Sequence, residues 1–225
     1  MIESAQTTTS RSERTRRLCW LAFGYAAFIA GYAAVGSYAS TLPARDLALP
    51  IDALIPLVPQ FVWIYELTYV LPLAAVIAIR DRSRFDRALI ALLIANLGAY
   101  AAFIACPVGF ARPELGTSLA ERVLAFEYRH DFPPLGANHL PSLHVAQAFI
   151  LYLAVRGQRF GRRGDAIALL LALAIATSTL FVKQHIVLDV VAGLLWGRLA
   201  YGIAGRFLKT TVASRRIWER ISSHG

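Results

Sequence analysis

Long apolar stretches constrain this sequence more than any other feature. A helix that crosses a bilayer needs about 20 mostly apolar residues, because the hydrocarbon core is about 30 Å thick and each helical residue rises about 1.5 Å. Six stretches approach or reach that length: Leu18–Ser40, Pro59–Ile79, Ala88–Ala105, Pro141–Val155, Ala166–Val182 and His185–Phe207. Since 57% of the residues are hydrophobic and only 16% are charged, we predict an all-α, polytopic membrane helix bundle with six transmembrane helices.

The basic residues predict which way the bundle faces, because Lys and Arg collect in cytoplasmic loops. Most of them precede the first predicted span, separate the second from the third and the fourth from the fifth, or follow the sixth. We therefore expect both termini in the cytoplasm. The predicted organisation is a cytoplasmic N-terminal tail over 1–17, a six-helix membrane domain over 18–208 and a cytoplasmic C-terminal tail over 209–225.

The formal net charge of +9 is also compatible with binding to nucleic acid. The basic residues, however, lie in alternate loops between apolar spans, without a groove-reading motif or an aromatic platform beside them. Membrane topology and attraction to anionic lipid headgroups account for this pattern. The predicted partner is thus the bilayer and not a nucleic acid, and the sequence carries no signal for an oligomeric state.

The longest predicted loop, 107–140, lies on the extracytoplasmic side. Loops of this length in compact proteins are usually functional or disordered. Ser118 and Glu121 form the sequence pattern of a capping box, and a short amphipathic stretch follows as far as Tyr128. We predict a surface helix or lid here.

Three short polar segments lie at the extracytoplasmic ends of predicted spans: Cys106–Pro113, Asn138–His144 and Lys183–Asp189. In the third segment, His185 and Asp189 are four residues apart at a helix end, so they share one face and can touch. A carboxylate bound to one ring nitrogen fixes the histidine tautomer and leaves the other nitrogen free to attack. This pair is the candidate catalytic unit.

The other two segments supply groups that suit an anion. Ser142 and His144 fall in the first turn of the fourth predicted helix, where free N–H groups and the positive end of the helix dipole favour a phosphate. Arg112 adds a planar fork of donors for the same anion. Together, these residues predict a phosphate-handling site at one face of the membrane.

Two further residues are candidates for substrate binding. Glu66 lies inside the second predicted span, where an ionisable side chain marks a functional site unless a neighbouring helix satisfies it. Its carboxylate would suit a hydroxyl-rich acceptor. His139 belongs to the same polar segment as Ser142 and His144.

The three segments resemble the signature motifs of the type 2 phosphatidic acid phosphatase superfamily. That pattern is Lys, six residues and Arg-Pro; then Pro-Ser-any-His; then Ser-Arg, five residues, His, three residues and Asp. The matching positions here are Arg112-Pro113, Pro141 to His144, and Ser178 with His185 and Asp189. The resemblance implies that His185 attacks phosphorus to form a phosphohistidine, that Asp189 orients it, and that His144 protonates the leaving oxygen.

The resemblance also implies that Arg112 and Ser142 hold phosphate oxygens and that the reaction needs no metal or cofactor. Two of the family's phosphate-binding cations are missing, because Ala105 and Thr179 occupy their positions. Lys183 is the predicted substitute for one of them, and a helix end whose lysine reaches the interface is the alternative.

The sequence also resembles one branch of this superfamily, the inositol phosphorylceramide synthases. The resemblance lies in the Lys-Gln pair before His185, in Pro-Ser-Leu-His, and in the segment from Pro56 to Tyr69. Enzymes of that branch transfer a phosphoryl-linked headgroup from one lipid to an alcohol.

We therefore expect a lipid phosphatase or phosphotransferase in the inner (cell) membrane of a bacterium, with its site facing the extracytoplasmic side. Hydrolysis and transfer both stay open, as do phosphatidate, a polyprenyl diphosphate, a phosphorylated glycolipid and a phospholipid donor. A small transporter is the non-enzymatic alternative. A metal site is another alternative, built from His139, His144, His185 and Asp189.

Overall fold

The computed structural model describes residues 11–131, 137–158 and 161–222. Within these ranges the chain is all-helical, as predicted, and has no β-strand. The helices are α1 (Arg11–Ala39), α2 (Pro50–Leu54), α3 (Val62–Tyr65), α4 (Leu67–Ala78), α5 (Arg82–Ala105), α6 (Leu119–His130), α7 (Leu143–Val155), α8 (Gly161–Phe181) and α9 (Val187–Ser222). A 3-10 turn, Pro59–Phe61, precedes α3.

Among the described residues, four helices are long and apolar enough to cross a membrane: α1, α5, α8 and the Val187–Thr210 part of α9. They correspond to the first, third, fifth and sixth predicted spans. Large apolar side chains point outward from all four, including Phe23, Leu97, Leu170 and Leu195. Water would not favour so much exposed apolar surface, whereas lipid tails would cover it.

The second and fourth predicted spans take another form. The second is divided into the 3-10 turn, α3 and α4, with Glu66 at the junction of α3 and α4 and Pro72 inside α4. Proline has no backbone N–H, so it removes a hydrogen bond from the helix. The fourth span is α7, which has only 13 residues. Helix length and composition therefore identify four of the six predicted spans among the described residues.

The short helix α7 nevertheless lies at the centre of the bundle, where it packs against α4, α5, α8 and α9. Its contact with α9 is close because α9 carries glycine where the two helices meet. A Cβ atom at Gly193 would lie 2.6 Å from the carbonyl oxygen of Ser142, and one at Gly197 would lie 2.7 Å from that of Ala146. Glycines spaced four residues apart let helix backbones approach in this way. The first turn of α7 is thereby held against the start of α9.

Arginine side chains join the helices at one end of the bundle. Arg17 is buried and donates to the carbonyl oxygens of Ile79 and Arg80, the latter at 2.9 Å. Arg87 Nε donates to the carbonyl oxygen of Tyr201 at 2.9 Å. At the opposite end, α1, α5 and α8 finish while α7 and α9 begin. The three polar segments lie at that opposite end.

The predicted tails are described only in part. α9 continues without a break past position 208 to Ser222. Residues 1–10 of the predicted N-terminal tail and residues 223–225 of the predicted C-terminal tail lie outside the described residues.

Candidate active site

The third polar segment forms a tight turn between α8 and α9. Lys183 adopts a φ of 52°, a left-handed conformation that is uncommon for residues other than glycine and is often found at functional sites. The N–H groups of Gln184 and His185 both donate to the carbonyl oxygen of Thr179, at 3.0 and 3.1 Å. This turn reverses the chain and places His185 just before the first turn of α9.

His185 and Asp189 make the contact that their spacing predicts. His185 Nδ1 lies 3.2 Å from Asp189 Oδ2, and the same oxygen accepts from the N–H of Ile186 at 3.1 Å. Asp189 is fully buried. A carboxylate that accepts from Nδ1–H leaves Nε2 of the ring unprotonated and available as a nucleophile.

Two more histidine rings flank His185. The ring centroid of His139 lies 5.7 Å from that of His185, and the centroid of His144 lies 5.8 Å from it. His139 is almost completely buried and packs against Phe110, with centroids 4.7 Å apart. Burial lowers the pKa of His139, so this ring is neutral at neutral pH.

Arg112 connects the first segment to the other two. Its Nη1 donates to the carbonyl oxygen of Tyr128 at 3.1 Å. Its Nη2 donates to Gln184 Oε1 at 2.8 Å, lies 3.2 Å from His139 Nε2 and pairs with Asp131 Oδ2. One guanidinium thus joins the first segment, the second, the third and the end of α6.

Several buried polar atoms around Arg112 have no hydrogen-bond partner among the described residues. They are Arg112 Nε, Asn138 Oδ1, His139 Nδ1, Gln184 Nε2 and Asp189 Oδ1. Leaving one such atom unpaired costs roughly 1–3 kcal/mol, so buried polar groups are normally satisfied. A cluster of such atoms at one place is typical of a site that binds a polar ligand.

Backbone contacts in the loops fix the first two segments side by side. Val108 forms isolated bridges with Arg45 and with Asn138. The N–H of Arg45 donates to the carbonyl oxygen of Pro107 at 2.9 Å, and the N–H of Gly109 donates to that of Arg45 at 3.1 Å. The loop between α1 and α2 therefore helps to hold Arg112 near His139.

Two of the predicted phosphate ligands have structural partners of their own. Ser142 Oγ accepts from the N–H of Val145 at 3.4 Å and so caps α7. Lys183 Nζ donates to the carbonyl oxygens of Asp52 and Ile55, at 3.0 and 2.5 Å. These contacts position the turn and the helix, and phosphate binding by either residue stays a prediction.

Glu66 belongs to a second polar group beside His144. It interacts directly with Glu127 of α6, and Tyr69 donates to Glu127 Oε2 at 3.2 Å. The rings of Tyr65 and Tyr69 lie 4.4 and 5.9 Å from the ring of His144, centroid to centroid. Burial raises the pKa of the Glu127 carboxyl.

A family model for the PAP2 superfamily matches residues 50–203, a range that contains all three segments. The chain belongs to the PAP2 superfamily. This superfamily generally comprises phosphatases and phosphotransferases. A search of curated proteins found no significant match.

Within this PAP2 protein, the structure adds residues that the sequence interpretation did not select. Asp131, Asn138 and Gln184 all contact the Arg112 group or its partners. Gln184 could have been found from its place beside His185. Asp131 had no such signal, because only the fold brings it to Arg112.

Two other predictions can be compared with the structure. The surface helix in loop 107–140 is confirmed as α6, whose capping box joins Ser118 and Glu121. Within the described ranges, no group of three or more His, Cys, Asp or Glu side chains has a metal-binding arrangement. The alternative of a metal site therefore gains no support.

Proposed function

We propose that this protein is an integral membrane lipid phosphatase or phosphotransferase that works through a phosphohistidine at the extracytoplasmic face. The observation that carries the proposal is the buried pair of His185 and Asp189 with two further histidine rings beside it. Membership of the PAP2 superfamily supports the same chemistry.

In the first step, Nε2 of His185 attacks phosphorus, so a P–N bond forms as the P–O bond to the leaving group breaks. Asp189 stabilises the positive charge that develops on the ring. His144 gives its proton to the leaving oxygen. In the second step, His144 takes a proton from water or an alcohol, whose oxygen attacks phosphorus and displaces His185.

Donors around Arg112 stabilise the negative charge on the phosphoryl oxygens during both steps. Arg112, Gln184 and His139 carry the unpaired buried nitrogens described above, and Ser142 and Lys183 are further proposed ligands. Loss of one well-aligned donor in such a site costs about 2.7–4 kcal/mol of barrier. This stabilisation of the charged phosphoryl oxygens supplies much of the rate enhancement.

We further propose six crossings, with both termini in the cytoplasm of a bacterial inner membrane. The arginine-rich end of the bundle would then face the cytoplasm and the histidines the opposite side. The second crossing would combine the 3-10 turn, α3 and α4, and the fourth would be α7. The domain limits of 18 and 208 follow from that arrangement.

An apolar groove between α5 and α9 supports a lipid substrate. It is lined by Gly98, Ala102, Leu195 and Trp196, and it reaches Pro141 at the start of the second motif. An acyl chain in this groove would lie among membrane-facing side chains while its headgroup reached the histidines.

The second polar group favours transfer to an alcohol as the second candidate function. Glu66 and Glu127 would accept hydrogen bonds from the hydroxyl groups of an acceptor. Tyr69 connects Glu127 to His144, the proposed general base. This arrangement supports the interpretation as a headgroup transferase related to the inositol phosphorylceramide synthases.

The experiment is a product assay with purified protein in detergent. Lipid phosphates and phospholipids are supplied with and without inositol or ceramide acceptors, and free phosphate and new lipids are measured together. Phosphate release without an acceptor indicates a phosphatase, and an acceptor-dependent lipid product indicates a transferase.

The controls use two histidine variants. His185→Ala removes the proposed nucleophile, whereas His130→Ala changes an exposed histidine of α6. We expect activity to disappear in the first variant and to persist in the second. The absence of both products from intact wild-type protein would contradict the proposal and favour the transporter.

A further inference from the structure

Asp131 is held by groups from three other parts of the chain. Its Oδ2 pairs with Arg112 Nη2. Its Oδ1 accepts from the hydroxyl of Tyr32 in α1 at 2.6 Å and from Asn138 Nδ2 at 3.0 Å. Both oxygens are engaged, so this carboxylate is fixed beside the guanidinium that is proposed to bind phosphate.

The carboxyl group of Asp131 is ionised in this environment. Burial opposes ionisation, but hydrogen bonding with His139 and the charge of Arg112 outweigh it and hold the pKa of Asp131 well below its usual range. His139 is neutral because burial lowers its pKa. The charge of Arg112 is therefore balanced locally by Asp131.

In the superfamily motifs, two further cationic side chains bind phosphate, but this chain has uncharged residues at both positions. Ala105 and Thr179 occupy them. The ammonium group of Lys183 is engaged by carbonyl oxygens at α2. The immediate partners of the Arg112 guanidinium are thus one carboxylate, Asp131, and the neutral side chains of His139 and Gln184.

We propose that Asp131 makes the site select its substrate by charge: its carboxylate favours the monoanion of a phosphodiester over the dianion of a phosphomonoester. A monoester carries a charge of about −1.5 to −2 at neutral pH, because its second pKa is about 6. Repulsion from a fixed carboxylate grows in proportion to the charge of the ligand. The inference rests on the proposed function and names the substrate class for that same site.

The decisive variant is Asp131→Asn, which keeps the shape of the side chain and removes its charge. Phosphatidate and phosphatidylinositol with identical acyl chains are supplied separately, and kcat/KM is measured for each. Because a dianion gains more than a monoanion from removal of the charge, we expect the ratio of monoester to diester turnover to rise by about tenfold or more.

Tyr32→Phe is the matched control. It removes a hydrogen bond to the same carboxylate without changing the charge of the site. We expect the ratio to stay near the wild-type value in this variant, even where total activity falls. An unchanged ratio in Asp131→Asn, with both substrates losing activity together, would overturn the inference and assign Asp131 a purely structural role.

A measurement on the wild-type protein covers the case in which Asp131→Asn does not fold. Six titratable or charged groups face or influence Asp131: Tyr32, Tyr65, Arg112, Glu127, His139 and His144. Each charged group acts more strongly on a dianion than on a monoanion, so the ratio is also measured in Glu127→Gln, which removes the other carboxylate among these groups.

As the pH falls through about 6, the monoester becomes a monoanion, while Asp131 stays ionised. We therefore expect the wild-type ratio to rise on acidification. A ratio that falls would overturn the inference while leaving the proposed function in place. Turnover of neither lipid would overturn the proposed function and the inference with it.

Discussion

The two ends of the bundle use arginine in different ways. At the arginine-rich end, Arg17, Arg84 and Arg87 donate to backbone carbonyl oxygens of neighbouring segments. At the other end, Arg112 contacts three side chains and one carbonyl group, and it keeps an unpaired Nε beside other unpaired atoms.

This difference separates structural arginines from a binding arginine. Arg17 and Arg84 satisfy carbonyl groups at or just after helix ends, which lack partners within a helix, and so stabilise the fold. Arg87 joins α5 to the backbone of α9. Arg112 also joins parts of the fold, but its unpaired Nε lies beside other unpaired buried polar atoms, and such a guanidinium is suited to bind an anion as well. Substitutions at the two ends should therefore affect different properties.

The largest effect is expected at the histidines. His185→Ala and His144→Ala should each lower turnover by at least about a thousandfold, because one removes the nucleophile and the other the general acid. Turnover is measured by product release, and insertion by membrane extraction and size-exclusion profile. Wild-type turnover by either variant would contradict the mechanism.

The next largest effects are expected from substituting one arginine at each end of the bundle. Arg112→Lys should lower kcat/KM by about a hundredfold to a thousandfold, because a lysine cannot reproduce the planar fork of donors. Arg17→Lys should instead lower the melting temperature and leave kcat/KM near the wild-type value. Thermal unfolding and lipid turnover are measured for both. If the two substitutions changed the melting temperature and kcat/KM equally, the two arginines would not have different roles.

A smaller effect is expected where α7 meets α9. Gly193→Ala places a methyl group against the backbone of Ser142, which overpacks the contact at a typical cost of 1–3 kcal/mol. We expect a lower melting temperature and about tenfold less activity, because the start of α7 moves away from His185. The matched control is Gly202→Ala on the same helix, where an added Cβ meets nothing within 4 Å. Equal losses in the two variants would argue against the close contact.

The smallest effect concerns the apolar groove. Ala192→Phe should fill part of the groove between α5 and α9 and raise KM for long-chain lipids severalfold, because the acyl chain loses its place. A short-chain analogue should keep its KM. The two substrates are compared in one detergent system. A parallel rise for both would show that the groove does not hold the acyl chain.

The sequence predicted the helical class, the positions of the long apolar helices, the helix α6 and the His185–Asp189 contact. Each depends on local information, such as an apolar run, a capping pattern or a spacing of four residues. The interruption of the second span at Glu66 was not foreseen, since its residues are apolar on both sides of the break.

Other contacts in the site could not be predicted from the sequence. Asp131 contacts Tyr32, which lies 99 positions away, and Lys183 contacts Asp52, which lies 131 positions away. Such pairs depend on how whole helices pack, and no local pattern encodes them. The same holds for Tyr65 and Tyr69: their segment carries part of the resemblance to the synthase branch, but the sequence does not show that their rings lie beside His144.

The most direct test is to look for the covalent intermediate itself. Purified protein is mixed rapidly with a phospholipid donor, quenched within one turnover and digested for peptide mass spectrometry. We predict a phosphoryl-containing adduct on His185 that forms at least as fast as product and is absent from His185→Ala. Product formation without an adduct on His185, or with an adduct on another residue, would contradict the proposed mechanism.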